Sequence, residues 1–219
     1  MQSARLAVAS GAQAIEINSV LRNTYLLLSG LIGFCAVCTA IAIAARVPYI
    51  GFFPYLIGVF GLFWIINRTA HSTWGLFWSF VFVAFIGVAI APFVAIYLHQ
   101  NPMIVVQALA LTASTFVGLS MYTIVRRTDF SWLGQFITVA LVVTLGLVGL
   151  SFFVDLSPWS LLIAGFFVFV ACALILFQTS RVVLGGERNY VVAAIGIFVG
   201  IYILFMNLLS IIGLFSGDE

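Results

Sequence analysis

Few side chains in this sequence have the type and spacing to carry chemistry, and each lacks the company that chemistry needs. Gly118-Leu119-Ser120 has the pattern of a serine-nucleophile elbow. A serine nucleophile needs a base, usually His, within hydrogen-bond reach. The chain has two His, His71 and His99, both in polar breaks before Ser120 and, by the topology below, on opposite faces of a membrane. Ser120 therefore reads as a packing residue. Aspartyl chemistry needs two carboxylates in one site, yet Asp129 and Asp155 fall in breaks at opposite ends of one apolar run. There is no His-Glu-x-x-His, so a zinc peptidase is excluded. Cys35 and Cys38 form a C-x-x-C inside an apolar run without a second ligand pair, and Cys172 stands alone. All three read as small apolar packing residues. No metal, cofactor or catalytic residue is expected, and the chain is not expected to be an enzyme.

The other polar residues within apolar runs are Gln107, Gln135, Thr144, Gln178, Asn207 and Ser210. Interhelical hydrogen bonding is their default role. Arg181 lies three residues after Gln178, so both can share a helix face and line the mouth of a central cavity. The bland alternative is that Arg181 snorkels into the headgroups. Gly196 and Gly200 make a G-x-x-x-G, which permits close helix packing. Pro92 removes a backbone hydrogen bond inside a run and is expected to kink it. Asp129, beside Arg126 and Arg127, reads as one half of a surface ion pair.

The elements that hold these residues follow from composition. Of 219 residues, 64% are hydrophobic and 6% charged, with eight Arg, six acids and no Lys. Mean hydropathy is +1.28. A soluble domain is about a quarter charged, so the solvent for this chain is lipid. A net charge of +2 is too small and too scattered for nucleic acid. The charges and one polar cluster, His99-Gln100-Asn101-Pro102, divide the chain into seven runs, approximately 24–45, 47–67, 74–98, 103–125, 130–154, 156–180 and 190–215. Each reaches the roughly 20 residues an α-helix needs to cross a bilayer. The expected fold is an all-α integral membrane protein: a tail over 1–23, a seven-helix membrane domain over 24–215 and a short C-terminus over 216–219.

Arg5, Arg22, Arg68, Arg126, Arg127, Arg181 and Arg188 fall on one face, and Arg46 alone on the other, with Asp155, Asp218 and Glu219. The positive-inside rule puts the N-terminus in the cytoplasm and the C-terminus outside. Residues 1–23 do not read as a signal peptide, because their apolar residues are dispersed. Ser10-Gly11 is expected to break the tail's partial amphipathic pattern. Trp74, Trp78, Trp132 and Trp159 lie near the expected helix ends as interfacial anchors. No ionisable group sits in the middle of a run, which argues against pumps and proton relays. The absence of Lys excludes a retinal Schiff base.

Several stretches resemble the Bax inhibitor-1 family, specifically its bacterial YccA-like branch. They are Leu21-Arg22-Asn23-Thr24-Tyr25-Leu26-Leu27-Leu28, Ala91-Pro92-Phe93 with Tyr97-Leu98, Phe177-Gln178-Thr179-Ser180, Gly185-Gly186-Glu187-Arg188-Asn189-Tyr190 and Leu208-Leu209-Ser210-Ile211-Ile212-Gly213. The resemblance implies a bundle whose last helix is central, wrapped by the other six. The wider family includes pH-sensitive calcium leaks, closed by two facing carboxylates that share a proton. Those positions correspond to Gln178 and Gly200, neither of which ionises. The YccA-like branch is instead associated with FtsH, a membrane-anchored AAA protease, as substrate and modulator. The resemblance thus implies a bacterial inner-membrane protein that binds FtsH, with Arg5, Glu16 and Arg22 on the partner-binding tail. The alternative is a cation leak lined by Gln178, Arg181, Gly200 and Asn207.

Overall fold

Polar breaks decide where each helix stops, and turn chemistry in those breaks decides where the next begins. In the computed structural model the backbone is described for residues 2–216 and side chains for residues 18–216. Arg5 and Glu16 of the tail, and the acids Asp218 and Glu219, lie outside the side chains described. The described residues form seven α-helices and no strand: α1 Gln2–Ala44, α2 Phe52–Thr69, α3 Thr73–Gln100, α4 Pro102–Arg126, α5 Leu133–Leu150, α6 Ser160–Val183 and α7 Tyr190–Ser216. All seven are long and apolar enough to span a membrane, α1 through its stretch Asn18–Ala44. The chain is a multi-pass, all-α membrane protein. Helix α1 runs continuously from Gln2 through Ser10-Gly11.

The junctions show local rules at work. Asn101 caps α4, its side chain accepting from Met103 N at 2.9 Å, and Pro102 follows at the first helical position, where no amide hydrogen is needed. Arg127 closes α4 in the left-handed conformation, φ 49°. Before α5 and α6 the chain uses the same device twice: Asp129 Oδ1 accepts from Ser131 N, and Asp155 Oδ1 from Ser157 N. Each Asp also accepts from the hydroxyl of that Ser, which holds both carboxyls below the usual Asp range. Asp129 therefore turns to Ser131, not to Arg126 or Arg127 as its position suggested. Residues 130–132 and 151–159 are accordingly spent on turns that hydropathy alone counts as apolar.

The chain groups into two compact units, one of Met1–Pro92 with Arg181–Phe198, the other of Phe93–Ser180 with Val199–Glu219. In the first, α1 approaches α3 so closely that a Cβ on Gly87 would lie 2.8 Å from Cys35 O. Thr39 Oγ1 donates to Gly87 O at 3.0 Å and to Cys35 O at 2.9 Å, a hydroxyl bridging two helices. Phe82 meets Phe198 edge-on, ring centroids 6.4 Å apart. In the second unit Ala171, Ile175 and Leu204 form a buried centre, with Phe116 and Leu119 packed against it. Half of the apolar window of α7 is buried, against 6% for α2 and 11% for α5.

Candidate functional site

The residues expected to line a cavity are Gln178, Arg181, Gly200 and Asn207. Gly200, in the second unit, is buried, and a Cβ there would lie 2.9 Å from Ile175 Cγ1 and 3.5 Å from Ala171 O. Its missing side chain is what lets α7 approach α6. Asn207 donates from Nδ2 to Ile203 O of its own helix at 2.7 Å. Gln178 keeps Oε1 buried without a partner, as do the hydroxyls of Ser120 and Thr179. Neither Gln178 nor Asn207 hydrogen-bonds to another of these candidates. Gly196 is half-buried in the first two turns of α7, and Arg22 is exposed.

Close packing at Gly200 yields a test. Gly200→Ala is expected to lower unfolding stability by about 1–3 kcal/mol, because Ile175 cannot retreat from a filled core. In a double-mutant cycle read by unfolding midpoints, Ile175→Ala should cost less in the Gly200→Ala background than alone. Additive losses would mean that the two side chains do not compete for the same space.

Arg181 belongs to the first unit, where its Nη2 meets Glu187 Oε2 at 2.9 Å. Glu187 is also fixed by backbone: its N donates to Arg181 O at 3.0 Å, and its Oε1 accepts from Asn189 N at 3.0 Å. The chain leaves α6 through Gly185, whose φ of 75° is the left-handed region that glycine enters without strain. At the far end of this loop Asn189 does two jobs. Its Oδ1 accepts from Val191 N at 2.9 Å and Val192 N at 3.3 Å, capping α7. Its Nδ2 donates at 2.8 Å to Ala70 O, 119 residues earlier in the turn between α2 and α3. That turn is tight enough that a Cβ on Gly75 would lie 2.7 Å from Thr69 O.

The two loops so joined enclose an open cavity of about 470 Å³, lined by Ala70, His71, Ser72, Thr73 and Leu76 on one side and residues 187–190 on the other. No group of three His, Cys, Asp or Glu comes together among the described residues. The polar groups of this cavity are instead the guanidinium of Arg188, the imidazole of His71, the hydroxyls of Ser72, Thr73 and Tyr190, the amide of Asn189, and the carboxylate of Glu187, whose oxygens both accept hydrogen bonds. Among the described residues this cavity holds no nucleophile–base pair with a third residue to orient it. Spacing along the sequence points to Arg181 but not to its partner Glu187, and it does not bring His71, Ser72 and Asn189 into one site. The signal available was Asn189 directly before an apolar run, which marks a helix N-cap.

Comparison with known proteins places this architecture. The family model described as "Inhibitor of apoptosis-promoting Bax1" matches residues 17–217. A protein of Pseudomonas aeruginosa is 40% identical over 210 residues, covering 95% of each chain. A membrane protein of Vibrio cholerae is 34% identical, covering 94% of each. The Escherichia coli protein named "Modulator of FtsH protease YccA" is 34% identical over 206 residues, 93% of this chain and 94% of that one. A family match across nearly every helix, joined to full-length likeness of this degree, puts this chain in the Bax inhibitor-1 family.

Proposed function

We propose that this chain is an inner-membrane modulator of the FtsH protease, acting as substrate and competitive inhibitor rather than as an enzyme. The observation that carries this reading is full-length likeness to the E. coli modulator of that protease. Inner-membrane placement has the same support, since a 34% identical E. coli relative is named an inner membrane protein. The distribution of Arg supports a cytoplasmic N-terminus and an outward C-terminus. Two features suit the mechanism. Helix α1 starts at Gln2, ahead of the charge-free apolar run that begins near residue 24. At about 1.5 Å per residue, the part preceding that run extends roughly 33 Å. Behind it stand seven apolar helices of membrane-spanning length, which are expected to resist extraction. Occupying the protease in this way would spare its other membrane substrates.

Co-purification from native membranes tests the partner. The tagged full chain is expected to retain FtsH through mild detergent washes, above the level held by an unrelated seven-helix protein. Equal retention by both would remove the reading.

A second reading, a cation leak, has one observation in its favour: the buried, unpartnered oxygens of Ser120, Gln178 and Thr179 are what a hydrated path would satisfy. Against it stands Gly200, whose space is taken by Ile175. With Gln178 and Gly200 in place of a carboxylate pair, such a leak would lack a proton-sharing switch.

A further inference from the structure

Hydroxyls on membrane helices commonly satisfy themselves on the preceding turn. Thr112 donates to Ala108 O at 2.7 Å, Thr123 to Leu119 O at 2.9 Å and Thr144 to Ala140 O at 2.7 Å. Ser120 of α4 and Thr179 of α6 depart from that habit. Their hydroxyls meet no protein partner, and neither does Gln178 Oε1. Thr179 is 0% exposed and Ser120 4%, so neither side chain turns to lipid or to bulk water. All three residues belong to the second unit. A buried polar group left unpaired carries its full desolvation cost, so each of these oxygens calls for a partner from outside the chain.

Two contacts put these oxygens in one layer. Phe116 and Leu119 of α4 pack on the buried centre formed by Ala171 and Ile175 of α6 with Leu204. Just beyond the end of α4, Phe130 N donates to Ser180 Oγ of α6 at 3.1 Å. Helices α4 and α6 are thus joined at both ends of a short interval and run through it in the same direction. Within it lie Ser120, directly after Leu119, and Gln178 and Thr179, three and four residues after Ile175 and on its side of the helix. Their chemistry selects the ligand. Each hydroxyl carries a proton that needs an acceptor, whereas Gln178 Oε1 needs a donor. A metal cation has nothing to accept with, and a deprotonated anion has nothing to donate. Water does both, and about three bonds is usual for a buried water. We propose that α4 and α6 enclose a structural water, which accepts from Ser120 and Thr179 and donates to Gln178 Oε1.

The experiment exposes the full chain in nanodiscs to brief X-ray pulses, which split bound water and oxidise the side chains beside it. Mass spectrometry then locates the modified residues. Ile175 is expected to be oxidised although it is fully buried, while Phe82, buried in the first unit, stays unmodified. When water labelled with heavy oxygen is mixed in just before the pulse, the label should enter Ile175 more slowly than the exposed His71, because an enclosed water exchanges slowly. Thr179→Val keeps the shape of the side chain and removes the hydroxyl. It should lower Ile175 oxidation about two- to tenfold, the occupancy lost with one hydrogen bond, and lower the unfolding midpoint. Thr179→Ser keeps the hydroxyl and should keep the oxidation. Should Thr179→Val fail to fold, Ser120→Ala removes the other donor and reads the same site. In a dry core the sign reverses, since Thr179→Val would then relieve an unpaired hydroxyl and raise the midpoint. That rise, with Ile175 unmodified in the wild type, would overturn the proposal. So would label reaching Ile175 as fast as His71, which is the behaviour of an open path.

Discussion

Deleting residues 1–20 is expected to abolish degradation of this chain by FtsH while leaving the bundle folded. In the proposed mechanism the protease must grip a segment that reaches beyond the membrane, and among the described residues the longest such segment is the start of α1. The deletion still leaves residues 21–44 of that helix. At about 1.5 Å per residue these span roughly 36 Å, enough for a hydrocarbon core of about 30 Å. The contacts that seat α1 also survive: Leu28 and Leu31 are buried, and Thr39 keeps its bond to Gly87 O. The measurement is the chain's half-life after synthesis is stopped, in cells with and without active protease. A full chain that decays only when the protease is active, beside a truncated chain stable in both, is the expected result. If the truncation decays as fast as the full chain, the handle lies elsewhere. If the truncated chain no longer decays yet still co-purifies, binding and extraction use different surfaces, and the tail serves only the second.

Much of the fold was legible in the sequence because charge is so scarce. With eight Arg and six acids in 219 residues, nearly every charged residue falls at a boundary, and the runs between them must be helices in lipid. What hydropathy could not show was the chemistry inside the breaks. Phe130 and Trp132 are apolar, yet they belong to the turn organised by Asp129 and Ser131. One Gly costs a helix only about 1 kcal/mol, and the 43-residue α1 continues through Ser10-Gly11.

The site was less legible, for a geometric reason. Gln178 and Arg181 are close to one helical turn apart, so a shared face was a fair expectation. Local spacing could not show that Arg181 reaches forward to Glu187 across a loop that Gly185 turns back. Nor does any local pattern link Asn189 to Ala70, since a contact across 119 residues exists only once the helices are assembled. Gly200 stands out in the sequence for its spacing with Gly196, and the structure supplies the cause: Ile175 occupies the space where its side chain would be.

Asn189→Ala is expected to be among the most damaging single substitutions outside the apolar core. It removes the cap on Val191 N and Val192 N, a loss of about 1 kcal/mol. It also leaves Ala70 O without its side-chain donor in a part-buried setting, for about another 1–3 kcal/mol. The sum, about 2–4 kcal/mol, should appear as a large drop in the unfolding midpoint. Asn189→Asp separates the two roles. The carboxylate can still accept from the first amides of α7 and is favoured at a helix N-terminus by about 0.3–1 kcal/mol. It has no N–H to offer Ala70 O, and instead turns an oxygen toward that carbonyl. An Asp variant between wild type and Ala assigns part of the loss to the cap and the remainder to the tie between the loops. Equal losses for Asp and Ala would mean that the tie, rather than the cap, holds most of the stability at this position. An Asp variant equal to wild type would mean that the two loops hold together without it, and would leave the cavity's shape to the Gly185 turn and the Arg181–Glu187 pair alone.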